Sequence, residues 1–155
     1  MTNQHLSIPS QLRAHWLVVG FLFLLLIAYN FVCHVWGVEL RINLDEAQRE
    51  IIRTVLYGAA IILFPLTNLL RFILLRLNQT MPGDKSAKQR YFFTTTVALL
   101  LIETVAFFGF VMFILGDDFN TLYIFSVLGG LGLFLHRPKI EELAAIDYAL
   151  SAKNQ

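Results

Sequence analysis

An all-α integral membrane four-helix bundle, made of two hairpins and followed by a short C-terminal amphipathic helix, is the fold this sequence predicts. Three observations predict it. Hydrophobic residues fill 57 % of the 155 positions and charged residues only 15 %, an imbalance outside the range of soluble domains. The excess is gathered into four runs, 15–36, 51–77, 91–115 and 119–136. The first three are long enough to cross a hydrocarbon core of ~30 Å, and the fourth stands at the short end of the usual range. Finally, the basic residues are sorted. With four spans, both termini and the loop between spans two and three share one side, which holds nine of the twelve Lys and Arg. Only Arg41, Arg49 and Arg53 fall on the other. The positive-inside rule then predicts a bacterial inner-membrane protein with both termini in the cytoplasm.

Each element follows from local pattern. The opening "MTNQHLSIPS" is polar and reads as a loosely ordered lead-in. The first apolar run is longer than a signal-peptide core and has no small-x-small cleavage site, so it reads as a retained helix flanked by His15 with Trp16 and by Trp36. The residues before Cys33 are not small, which argues against a lipidation site, and a single cysteine permits no internal disulfide. In "RINLDEAQREIIRTVLYGAA", Asn43 precedes Glu46 by three residues, the spacing of a capping box. Helix two is expected to start there as an amphipathic extension outside the bilayer and to kink at Pro65. "NQTMPGDKSAKQR" is a loop punctuated by Pro82 and Gly83, and "LGDDFN" is a tight turn. After Arg137-Pro138, the tail 137–155 carries Ile140, Leu143, Ile146 and Leu150 at helical spacing, with Glu141 and Glu142 in its first turn. It predicts a short helix lying on the membrane or on a partner. The whole chain reads as one membrane domain, 1–155.

The one carboxylate inside an apolar run is Glu103, in "LLLIETVAFFGFVMFIL". It stands about 18 Å into its helix, near the midplane, where an acidic residue costs roughly 2.5–3.5 kcal/mol unless it is protonated, paired or turned inward. The face it shares with Thr96, Leu99, Leu100, Ala106, Phe107 and Phe110 is therefore expected to look into the bundle. Candidate partners by depth are Thr67 and Asn68 on helix two, a long Arg71 reaching up from below, and Ser126 on helix four. Gly129, Gly130 and Gly132 read as helix-packing residues that permit close backbone approach.

Glu103 followed by Phe108 and Gly109, in an E-x-x-x-x-[YF]-G pattern, resembles the carboxylate helix of the proteolipid, or c, subunits of rotary ATPases. In that family the carboxylate helix also leaves a polar cytoplasmic loop and runs outward, and its carboxylate binds and releases the transported H⁺ or Na⁺. What the resemblance implies here is an ion- or proton-binding role for Glu103 alone. The chain as a whole resembles small four-span bacterial inner-membrane proteins.

Several function classes lose support at this stage. The basic residues do not interleave with aromatics on a polar face, so nucleic-acid binding is not expected. There is no G-x-S-x-G, no H-E-x-x-H and no phosphate-cradling loop, and neither a catalytic set nor a metal site is expected. His15 and His136 stand at the same ends of helices one and four, the arrangement of a haem-ligating bundle, although each is more simply an interfacial residue. Three roles are carried forward. The leading one is a small non-enzymatic subunit or accessory partner of a larger inner-membrane complex, without a cofactor. The others are a proton- or cation-linked transport component centred on Glu103, acting as a homo-oligomer, and a haem-binding electron carrier.

Overall fold

In the computed structural model, which describes residues 12–153, the apolar runs become five helices: α1 (Arg13–Leu40), α2 (Glu46–Thr80), α3 (Ala87–Ile114), α4 (Phe119–Leu135) and α5 (Ile140–Lys153). The polar lead-in 1–10 lies outside the described residues. No strand occurs among the described residues. Helices α1, α2 and α3 are each long and apolar enough to cross a membrane. Helix α4, with 17 residues, joins them when taken together with α5, from which it bends by 42°. Three to four such helices fit a multi-pass membrane protein. The apolar residues that face outward are consistent with it: Leu17, Phe21, Leu24 and Ile27 on α1 and Ile61, Ile62 and Leu69 on α2 are all exposed. In water such a surface would be untenable; in hydrocarbon it is the expected one.

Helix α3 is the axis. Half of its apolar stretch is buried within the bundle, against 17 % for those of α1 and α2, and the other helices arrange themselves around it. Its partner in the tightest pair is α4, where small residues meet. A β-carbon on Gly129 would stand 2.6 Å from that of Ala106, one on Gly109 would stand 2.8 Å from that of Phe125, and one on Gly132 would collide with Ile102. Such contacts supply the dispersion energy that hydrophobicity cannot supply between helices in lipid. Gly130 differs from its neighbours. It faces α1, with Leu26 as its nearest approach at 3.8 Å, and is not tightly enclosed.

The two expected hairpins are unequal. Helices α3 and α4 form a close antiparallel pair, whereas α1 and α2 scarcely touch one another and dock separately on α3. Helix α2 brings Tyr57 to stack on Phe125 at 4.7 Å and Ala60 to a cluster with Val105 and Met112. Helix α1 brings Val19 and Leu22 to Leu99 and Ile102, and runs parallel to α3. Pro65 lies within α2, which is continuous through it.

At the end formed by the α1–α2 and α3–α4 connections, called here the turn end, the capping box does not form. The N-cap of α2 is Asp45, without a side-chain cap bond. The reason is tethering: the Ile42 amide donates to the Ile114 carbonyl at 2.6 Å, holding Asn43 outside the helix. Arg53 pairs with buried Asp117 at 3.2 Å, Arg49 donates to the Gly116 carbonyl at 3.2 Å, and Arg41 to the Asp117 carbonyl at 3.0 Å. Gly116 has a φ of +95°, the left-handed geometry that lets this turn close.

At the opposite, terminus end, α5 departs from expectation. It bends by 42° from α4 and packs onto α2 and α3, with Leu143 and Ile146 buried against Leu12, Ala87 and Tyr91, so its apolar face is taken up by the chain's own bundle. The loop between α2 and α3 is organised by Arg90, whose guanidinium donates to the carbonyls of Asn78, Met81, Gly83 and Lys85.

Candidate functional site

Glu103 is inside the bundle, as its helical face requires. It is 5 % exposed, and neither carboxyl oxygen has a hydrogen-bond partner. Its face is half covered: Leu99 and Ala106 are buried, while Leu100 and Phe107 reach the exterior. Tyr29 of α1 reaches the same face, stacking on Phe110 at 5.3 Å and meeting Phe107 edge-on at 5.8 Å.

None of the candidate partners bonds to Glu103. Thr67 is fully buried, and its hydroxyl has no partner. Asn68 lies on the exposed side of α2. Ser126 accepts a hydrogen bond from Asn30 at 2.9 Å, and the Asn30 amide also donates to its own helix at the Leu26 carbonyl. One turn nearer the turn end, His34 is 2.8 Å from the Asn30 carbonyl through Nδ1 and 2.9 Å from the Tyr123 hydroxyl through Nε2. A polar ladder thus joins α1 to α4 above the level of Glu103. Asn30 was the missed member. Its signal was available, as an amide within an apolar run, standing beside the exposed stripe of Leu24, Ile27 and Phe31 rather than on it.

Arg71 turns away from Glu103, toward the terminus end. It is buried and donates to Glu142 at 2.7 Å, to the His136 carbonyl at 2.7 Å and to the Arg137 carbonyl at 3.2 Å. Glu142 also accepts from the hydroxyl of fully buried Tyr91 at 2.9 Å, and that hydroxyl accepts from the Lys139 amide at 2.7 Å. A guanidinium is suited to this position because its several donors fit two backbone carbonyls and a carboxylate at once. It satisfies the carbonyls of the two residues that follow α4, His136 and Arg137, which the bend before α5 would otherwise leave open. The chemistry of this centre is that of a joint.

The two histidines are both buried. The His15 imidazole packs on Tyr91 with ring centroids 5.0 Å apart and on Phe92 at 5.2 Å, and neither ring nitrogen is bonded. His136 places Nδ1 2.9 Å from the Gly132 carbonyl and leaves Nε2 unpartnered. A haem held between them needs an apolar slot that both line. The cavity beside His15, of about 330 Å³, is bounded by α1 and α3 alone and does not include His136. Among the described residues, no three His, Cys, Asp or Glu side chains assemble into a metal-binding group. Comparison of the chain with protein families, with curated proteins and with solved structures gives no match.

Proposed function

We infer that this chain is a small, non-enzymatic inner-membrane protein that acts as a subunit or accessory partner of a larger membrane complex, with both termini in the cytoplasm. One observation carries the reading: apart from Glu103, the buried charged side chains among the described residues hold helices and turns together. Arg71 with Glu142 joins α2 to α5, Arg53 with Asp117 joins α2 to the α3–α4 turn, and Arg90 closes its loop. The outward faces of α1 and α2 are left broad and apolar, surfaces that lipid or neighbouring transmembrane helices cover equally well. The sorting of nine basic residues to the terminus end supports the orientation. The test is gentle solubilisation at native expression level followed by native electrophoresis. A band well above the mass of one chain, containing other membrane subunits, is expected; migration as an isolated monomer in several mild detergents and in nanodiscs overturns it.

A second reading is favoured by Glu103 itself. A carboxyl enclosed in the bundle without a counter-ion or hydrogen bond is held most cheaply as the neutral acid, and intramembrane carboxyls of this kind mark proton and cation paths. The local resemblance to proteolipid carboxylate helices supports the same role. Glu103→Gln keeps the shape and removes titration. Loss of a membrane activity with normal accumulation of the variant supports proton or cation coupling; full retention of activity leaves the structural role.

A further inference from the structure

The cavity beside His15 is not used by either reading. It opens between the first turns of α1 and α3 and is lined by Ala14, His15, Lys88, Gln89 and Phe92, with a volume of about 330 Å³. That volume is at the small end of ligand sites, which start near ~300 Å³. Two observations mark it as a binding site.

The first is electrostatic. Helix α1 begins here with Leu12 at its N-cap position, a residue with no side chain to accept the first amides, and neither α1 nor α3 carries an acidic residue in its first turn. The N-terminus of α1 therefore presents an uncapped positive dipole end, while that of α3 is capped by the Ser86 side chain; Lys88 and Arg13 stand beside them and there is no carboxylate in the lining. The second is an unsatisfied donor. His15 forms the back of the groove, is 1 % exposed, and has no partner at either ring nitrogen. A buried imidazole without a hydrogen bond is costly, and a turn of the ring that brings a nitrogen to an acceptor oxygen in the groove removes that cost. Of the remaining walls, Ala14 and Phe92 are apolar and Gln89 is polar.

We propose that this groove binds the headgroup of an anionic membrane lipid, with its phosphodiester at the α1 N-terminus, Lys88 and His15 and its acyl chain along Phe92. A lipid fits better than a free phosphate because the groove combines a basic rim with an apolar wall and lies at helix ends, the level at which headgroups stand. The proposal rests on the reading that these helices span a bilayer.

Two tryptophans provide the test. Trp16 follows His15 in the first turns of α1 and Trp36 lies near the opposite end of that helix; they are 49 % and 47 % exposed, so they are equally open to a quencher. Variants with one tryptophan each, Trp36→Phe and Trp16→Phe, are reconstituted with small fractions of acyl-brominated phosphatidylglycerol or phosphatidylcholine. The expected result is that the anionic lipid occupies the site at Trp16 about fivefold more readily than the zwitterionic one. Lys88→Ala should bring that ratio close to one, Trp36 should show no preference, and excess inorganic phosphate should change nothing. Equal quenching of Trp16 by both lipids overturns the site, as does an equal preference at Trp36, a ratio that survives Lys88→Ala, or its abolition by phosphate. Absence of quenching by either lipid at both tryptophans is a different failure: it overturns the membrane-spanning reading and the site with it.

Discussion

Arg71 and Glu142, seventy-one positions apart in the chain, meet at 2.7 Å with the arginine side chain only 8 % exposed. The contact fixes α5 to α2, and through Tyr91 to α3, at the point where the chain bends after α4. Replacing Arg71 by Met leaves Glu142 without its cation and two carbonyls without their donor. The expected loss is about 2 kcal/mol, below that of a fully buried pair because Glu142 retains 21 % exposure. Limited proteolysis should show cleavage within 140–153 in Arg71→Met well before cleavage of the parent chain.

Tyr91→Phe removes one hydroxyl that both donates to Glu142 and accepts from the Lys139 amide. The ring and its packing on His15 remain. A loss of about 1–2 kcal/mol is expected from the unpaired amide and the weakened carboxylate, read as a lower thermal midpoint in detergent.

Much of this architecture was legible in the sequence, and the reason is physical. A run of apolar residues longer than a bilayer core has few alternatives to a helix, so 15–36, 51–77, 91–115 and 119–136 fall within α1 to α4 with small shifts at the ends. The inward face of Glu103 was legible for the same reason, since burial of a carboxyl restricts rotation of α3 about its axis. Lateral partners were not. Whether Arg71 reaches up to Glu103 or down to Glu142 depends on where α5 lands, and that is set by the turn at Pro138 and by the fit of Leu143 and Ile146 against Tyr91. Asn43 misled because the capping-box spacing takes no account of the Ile42–Ile114 tether, which is nonlocal.

Gly129→Leu should be the most damaging single change among the small residues. The space a β-carbon would need is occupied by Ala106, whereas at Gly130 the nearest atoms are 3.8 Å and more away. Overpacking at Gly129 is expected to cost about 3 kcal/mol or to prevent accumulation, while Gly130→Ala should change the midpoint by less than about 0.5 kcal/mol. Parallel melting curves of the two variants check the contrast.

Asn30 and Ser126 invite a double-mutant cycle. Asn30→Leu, Ser126→Ala and the double variant should give a coupling of about 0.6 kcal/mol, the typical worth of a hydrogen bond between helices in a bilayer. A coupling near zero would show that α1 and α4 are held together by packing alone.

Glu103→Leu should not destabilise the bundle. The carboxyl has no partner to lose, and an apolar side chain of similar reach removes a buried polar group, so a midpoint equal to or above the parent's is expected. A loss above about 1 kcal/mol would reveal a bonded role for the carboxyl.

The separation of α1 from α2 has a consequence for how the protein is made. A chain emerging from the ribosome delivers these two helices first, and they have almost nothing to offer each other. On the proposed membrane reading, each waits in the bilayer, solvated by lipid or shielded by an insertion factor, until α3 arrives to receive both. The third helix is thus the committing event in biogenesis. A nascent chain halted in the loop at 81–86 holds two unassembled helices, whereas one halted after α3 already holds the core of the bundle.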